Sequence, residues 1–85
     1  MRFYVYLIIS KKLDRYTSYV GYTKNVKKRL ELHNKSKGAK FTRGQNWMLA
    51  YTKSYKNKSV AMSEEYKLKK NIKLRNKIKK DFINK

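Results

Sequence analysis

Hydrophobic and polar positions alternate with a period of two in the first part of the chain and recur every three to four residues in the last part. From Arg2 to Ile9, β-branched and aromatic residues dominate. Phe3, Val5, Leu7 and Ile9 fall on one face of an extended chain, and Tyr4, Tyr6 and Ile8 on the other. This pattern predicts a strand that is apolar on both faces. A polar turn from Ser10 to Arg15 follows, and Tyr16 to Tyr22 alternates again, with Ser18, Val20 and Tyr22 opposed to Thr17, Tyr19 and Gly21. Tyr19 therefore stands between two small neighbours on its face, as a groove requires.

Thr23 or Asn25 can cap a helix running to about His33, and a polar stretch with Gly38 stops it. Four-residue spacing puts Val26 and Leu30 on one stripe of this helix and Arg29 and His33 on another. A third strand, from about Trp47 to Tyr55, places Trp47, Leu49, Tyr51 and Tyr55 on alternate positions. Ser59 caps a second helix with Val60, Ala61, Leu68 and Ile72 on its apolar side. Lys73 to Phe82 reads as a basic amphipathic helix, with Leu74, Ile78 and Phe82 at four-residue spacing. The order β-β-α-β-α-α predicts an α+β fold, a small three-stranded antiparallel sheet flanked by helices.

Composition narrows the function. At 85 residues the chain closes one core, so residues 1–85 are expected to form one domain with a basic C-terminal helix. Its 24 Lys and Arg against 5 Asp and Glu give a net charge of +19, a strong self-repulsion that favours a polyanionic partner, nucleic acid first. Hydrophobic residues at 40% and aromatics at 14% exceed what a disordered basic tail carries, so the charge is mounted on a folded core. With no Cys and one His, disulfides, thiolate zinc sites and cysteine nucleophiles are excluded, and any metal must sit on oxygen ligands. No apolar run approaches the roughly 18 residues of a membrane span and no cleavage pattern follows Phe3 to Ile9, so the expectation is an intracellular, cytoplasmic protein without membrane contact.

Five carboxylates are few enough to weigh singly. Asp14 lies in the hairpin turn and Asp81 near a helix end, where structural roles are expected. Glu31 stands near Lys27, Lys28 and Lys35, which suggests an exposed ion pair. Glu64 and Glu65 lie on opposite borders of the apolar stripe of the second helix, and periodicity does not choose between them. Pairing with Lys67 to Lys70 accounts for both. His33 and Arg29 are each ordinary surface residues when taken alone, but their one-turn spacing aligns them.

The combination is more specific than its parts. Tyr4-Val5-Tyr6 and Tyr19-Val20-Gly21 resemble the two short motifs that name the GIY-YIG endonuclease superfamily, with Tyr4 standing where the first motif has Gly. The segment Gly21 to Asn34 is similar to the family's stretch in which an Arg and then a His or Tyr project from the first helix. Gly38 to Gly44, followed by Trp47, resembles the loop of the small stand-alone members. Ala61 to Glu65 is similar to the segment carrying the family's single metal-binding Glu, which falls on Glu65. For the Asn that many members carry after that Glu, Asn71 and Asn76 are alternative counterparts. The match spans about Phe3 to Lys70.

The resemblance implies a divalent-metal-dependent phosphodiesterase, an endonuclease acting on DNA in repair or recombination. Glu65 would hold one Mg²⁺ or Mn²⁺. Arg29 would brace the scissile phosphate. Tyr6 and Tyr19 would orient or deprotonate the attacking water, and His33 would orient Tyr6 or relay its proton. Lys24, Lys27, Lys28, Lys40, Arg43 and the final helix suit phosphate contacts rather than base reading. Branched, flap or single-strand-containing DNA is thus the expected substrate, with a partner protein as a further source of specificity. The competing reading is a basic nucleic-acid-binding protein, or a degenerate nuclease, that binds without cutting.

Overall fold

The computed structural model describes residues 2–84. Strands β1 (Phe3–Lys12), β2 (Arg15–Thr23) and β3 (Trp47–Tyr55) form one antiparallel sheet in the order β2-β1-β3. Helices α1 (Val26–Asn34), α2 (Lys58–Lys70) and α3 (Ile72–Ile83) flank it, and a 3-10 turn, Lys40–Thr42, lies between α1 and β3. The α+β class and the element order are those expected from the pattern.

The two-faced apolar character of β1 follows from its central place. Val5 to Ser10 are all buried. Val5, Leu7 and Ile9 join Val20 from β2 and Ala61 and Leu68 from α2, with Ile78 and Phe82 of α3 packed alongside. On the opposite face Tyr6 and Ile8 join Trp47, with Tyr19 and the α1 residues Val26 and Leu30 against them. Each face of the strand thus serves its own core.

Several local features depart from the sequence pattern. β1 and β2 extend to Lys12 and Arg15, so the polar turn shrinks to Leu13 and Asp14, with Leu13 at φ 58°. In β3 the register against β1 shifts between Leu7 and Ile8: Leu7 pairs with Tyr51 and Ile8 with Leu49, leaving Ala50 as an extra residue. The bulge sends Trp47 to the Tyr6 face and Tyr51 and Tyr55 to the Val5 face, so the alternation of Trp47, Leu49, Tyr51 and Tyr55 serves two cores. Ser59 is not the cap of α2. Asn57 caps it, its Oδ1 accepting from the Val60 N–H at 2.9 Å. Ala61 and Leu68 are buried, whereas Val60, in the first turn, is exposed, and so is Ile72, because the helix ends at Lys70 and Ile72 opens a new one. Glu31 makes no ion pair among the described residues, where the salt bridges are Lys67–Glu64 and Lys69–Glu65.

Asn71 is the joint between α2 and α3. Its N–H closes α2 on Lys67 and Leu68, and its Oδ1 accepts from the Leu74 N–H at 3.1 Å, capping α3. Arg75 then ties α3 to the edge strand, donating to the Ser18 hydroxyl at 2.8 Å and the Ser18 carbonyl at 3.1 Å. Asn71→Ala should lower stability by about 1 kcal/mol, the worth of a helix N-cap, and Tm by about 4–8 °C, while Asn71→Asp should keep most of it. Thermal melts followed by circular dichroism check this.

Candidate active site

Helix α1 carries the site because its inward stripe mixes polar with apolar residues. Val26, Arg29, Leu30 and His33 recur at helical spacing, so the faces that hold Val26–Leu30 and Arg29–His33 adjoin and both meet the sheet. Asn25 caps the helix, its Oδ1 accepting from the Lys28 N–H at 3.0 Å, and Thr23 supports the cap by accepting from the Asn25 N–H at 3.2 Å. The helix ends on Ser36, at φ 60°, with the Lys37 N–H on the Leu32 carbonyl and the Ser36 N–H on the His33 carbonyl. Ser36, not Gly38, is therefore the stop. Gly38 has another function: a Cβ there would collide with the His33 ring.

His33 is fully buried, and its two ring nitrogens are both engaged. Nδ1 lies 2.8 Å from Thr42 Oγ1 and Nε2 lies 2.8 Å from the Tyr6 hydroxyl. The Thr42 hydroxyl proton goes to the Ala39 carbonyl at 2.9 Å, and its oxygen also accepts from the Ala39 N–H at 3.2 Å. Thr42 is left to accept from His33, which assigns the imidazole proton to Nδ1 and a lone pair to Nε2. Tyr6 consequently donates its O–H to His33. Burial and the nearby Arg29 charge lower the His33 pKa, keeping the ring neutral. Burial also raises the Tyr6 pKa, against the pull of Arg29 and with the help of Tyr19 and Glu65. At rest the pair is neutral tyrosine and neutral imidazole.

The remaining groups surround this pair. Tyr6 sits directly opposite Gly21 in the β1–β2 ladder, and a Cβ on Gly21 would lie 2.5 Å from the Tyr6 hydroxyl oxygen. The glycine of the second motif is thus the space the tyrosine of the first motif occupies. Tyr19 meets the His33 ring edge-on at 5.2 Å, and no hydrogen bond to its hydroxyl exists among the described residues. Arg29 is half-buried and its Nε, shielded from solvent, has no acceptor among the described residues. An unpartnered buried guanidinium N–H is costly, and a bound anion is what would relieve it. Glu65 acts electrostatically on Tyr6, whereas Glu64 acts on Tyr55 and lines a cleft with Lys53, Tyr55 and Asn71, so the two carboxylates face different places. Glu65 is held by Lys69 at 3.5 Å and Glu64 by Lys67 at 3.0 Å.

Lys24 and Lys28 line a cleft with Arg29, and Lys40 and Arg43 flank Phe41 and Thr42; these four and Lys27 are all exposed. Of the alternative asparagines, Asn71 is engaged as a cap and Asn76 lines a cleft with Tyr16, Arg75 and Lys79. Sequence reasoning gave no role to Thr42, to Trp47, whose Nε1 donates to the Thr42 carbonyl at 2.9 Å, or to Asn34, whose side chain pairs with both backbone groups of Trp47. Their only signal was position, Thr42 inside the recognisable loop and Trp47 just after it.

The neutral state of His33 has a stability consequence. An unfolded histidine titrates near pH 6.5, and the folded one lower, so on acidification the unfolded chain takes up the proton first. Stability should therefore fall as pH drops below about 6.5, before the carboxylates titrate. His33→Gln, though less stable overall, should show a flatter profile over that interval in denaturant titrations.

Residues 2–79 match the family model described as the GIY-YIG catalytic domain. A UPF0213 protein of Oceanobacillus iheyensis is 45% identical over 67 residues, covering 78% of this chain and 74% of the relative. One from Clostridium perfringens is 43% identical, covering 79% and 70%. The solution NMR structure of a UPF0213 protein from Bacillus halodurans is 40% identical, covers 81% of this chain and 71% of that one, and superimposes with a TM-score of 0.42. A GIY-YIG domain implies nuclease activity, and with its two motifs packed as Tyr6 against Gly21 this chain belongs to the GIY-YIG catalytic domain family.

Proposed function

We propose that the protein is a divalent-metal-dependent endonuclease that hydrolyses DNA phosphodiester bonds, directed by structure rather than by sequence. The observation that carries this reading is the buried chain Tyr6–His33–Thr42. A basic binding module has no use for a tyrosine whose proton is aimed at an imidazole lone pair. In-line attack on a phosphate does, because it needs a water stripped of a proton in the transition state.

In this reading Tyr6 takes that proton, a role supported by its hydrogen bond to His33. Its hydroxyl gives its own proton to His33 Nε2 as its oxygen accepts one from the water, and the imidazolium so formed keeps its Nδ1–H on Thr42. The raised pKa of Tyr6 and the lowered pKa of His33 keep the transfer from running ahead of the attack. Tyr19, without a base at its hydroxyl among the described residues, is left to position water or phosphate. Arg29 offers its unpartnered Nε to the phosphate, where it offsets charge that builds in the transition state.

Among the described residues no three His, Cys, Asp or Glu side chains converge. One carboxylate suits Mg²⁺ or Mn²⁺, which take one or two protein carboxylates and complete their shell with water and phosphate oxygens. Glu65 fits that role, since its partly exposed ion pair with Lys69 is long and weak enough to be displaced. A cation bound there would supply charge neutralisation and would lower the pKa of a coordinated water. Lys24, Lys28, Lys40 and Arg43 add sequence-independent phosphate contacts.

Incubation of the purified protein with flap, branched and plain duplex DNA, with and without Mg²⁺ or Mn²⁺, tests the reading, and absence of cleavage on all three would refute it. Glu65→Gln should abolish cleavage with DNA affinity nearly unchanged, and Glu64→Gln should be mild. Equal loss in both, with intact folding, would dismiss Glu65 as the ligand. Tyr6→Phe should slow single-turnover cleavage by on the order of 10² to 10⁴, the worth of general base catalysis, and Tyr19→Phe by less. The acidic limb of the parent's pH–rate profile should lie below about pH 6.5, where His33 protonates.

A further inference from the structure

The nuclease reading leaves unused an exposed aromatic next to the site. Phe41 is 58% exposed, yet it is anything but loose. Its ring stacks on Tyr19 at 6.1 Å and 22°, and the 3-10 turn that carries it is anchored through Thr42 to His33 and through the Thr42 carbonyl to Trp47. Isolated exposed apolar residues are ordinary, but one fixed by a buried network beside a reactive centre is not.

Phe41 lines two clefts. One contains Ser18, Tyr19, Val20, Lys69 and Arg75. The other, of about 650 Å³, lies between the 3-10 turn and the tip of the β1–β2 hairpin and is lined, besides Phe41, by Lys12, Leu13, Asp14, Arg15, Thr17 and Gln45. Thr17 and Tyr19 share a face of β2, one pleat repeat or about 7 Å apart. The second cleft therefore begins a single step from Tyr19, with Gly21 and the Tyr6 it faces one step further along the same face, and its volume falls within the range of small-ligand sites, about 300–1,000 Å³.

We propose that this hairpin cleft holds one unpaired nucleobase of the DNA substrate, stacked on Phe41, while the adjoining phosphate enters the tyrosine site. The proposal rests on the nuclease reading for the meaning of that phosphate, but not for the binding itself. The charge around the cleft selects a polyanion over a peptide: Lys12 and Arg15 on the hairpin and Lys40 and Arg43 beside Phe41, with Asp14 as the contrary charge, able to accept from a base N–H. Gln45 adds an amide whose Nε2 donates to the Phe41 carbonyl at 3.3 Å, leaving its carbonyl oxygen for the base. A base inside a continuous duplex has no free face to offer Phe41. The substrate class is accordingly DNA with an unpaired nucleotide at the cut, a single strand or a branch point.

The test is affinity by fluorescence anisotropy in EDTA, so that it reads the cleft whether or not the chain cuts. The probes are a short oligothymidine, an abasic oligomer of the same length and a blunt duplex. The parent should bind the oligothymidine more tightly than the abasic oligomer. Phe41→Ala should weaken the oligothymidine by about 5- to 150-fold, the range of one base–aromatic stack, and leave the other two unchanged, while Phe41→Trp should restore binding. Equal parental affinity for the base-bearing and abasic oligomers would overturn the proposal without reference to any variant. So would a loss in Phe41→Ala that is the same on all three probes, or no loss in a folded Phe41→Ala. Failure of the nuclease reading shows separately, as a parent that binds in this pattern and does not cut with Mg²⁺ or Mn²⁺.

Discussion

A fully buried imidazole must find partners for both nitrogens, and that requirement organises half of this molecule. His33 meets it with a threonine on one side and a tyrosine on the other. Thr42 can accept only because its own proton is taken by Ala39 within the 3-10 turn, and the turn holds because Trp47 donates to the Thr42 carbonyl. Asn34, at the end of the same helix as His33, fixes Trp47 by pairing with its backbone as a neighbouring strand would. Two glycines complete the arrangement by absence of a side chain, Gly21 under the Tyr6 ring and Gly38 against His33. Removing any one member leaves a buried polar group unpaired or a ring displaced, a cost of order 1–3 kcal/mol for each group stranded.

The pattern of the sequence made the sheet legible because β1 is central and covered on both sides, so its two apolar faces could be read directly from Phe3 to Ile9. The alignment of Arg29 with His33 was equally visible, since helical spacing is set by geometry alone. What was hidden depended on single residues whose alternatives are chemically alike. Asn57 and Ser59 are both good caps, and only the chain's path selects the first. Ser36 takes the left-handed position that Gly38 was better suited to fill, because Gly38 is needed where no side chain fits. The extra residue at Ala50 leaves no trace in a period-two pattern, yet it decides which core each aromatic of β3 enters. Thr42 was invisible as a functional residue because a threonine acquires its role only from the proton it has already given away.

The two faces of the sheet divide the work. Against α2 and α3 the contacts are largely aliphatic, Val5, Leu7, Ile9, Val20, Ala61 and Leu68, and this is where burial of apolar surface supplies stability. Against α1, beside Ile8, the buried side chains Tyr6, His33, Thr42 and Trp47 carry polar atoms, which must be hydrogen-bonded to be tolerated there. Arg29 Nε and Ser10 Oγ, the buried side-chain atoms without a partner among the described residues, are destabilising. For Arg29 that cost has a use in the proposed reaction, since a donor already stripped of water and unpaired binds an incoming oxyanion without first breaking a bond.

Charge places the same tension on the whole chain. At +19 in 85 residues, repulsion opposes compaction everywhere, and with so few carboxylates the compensation among the described residues is slight, two lysine–glutamate pairs on α2. The backbone instead anchors cations where it can: Arg75 donates to the carbonyls of Ser18 and Lys69, and Lys79 reaches the Tyr16 carbonyl at 3.5 Å. These contacts hold α3 against the edge strand β2, beside the cleft that Tyr19 and Phe41 line. A polyanion following that edge would neutralise the charges that strain the fold while meeting the face that carries the chemistry. Any ligand that binds only the folded state also stabilises it, so the excess charge that weakens the free protein would strengthen a complex with a polyanion.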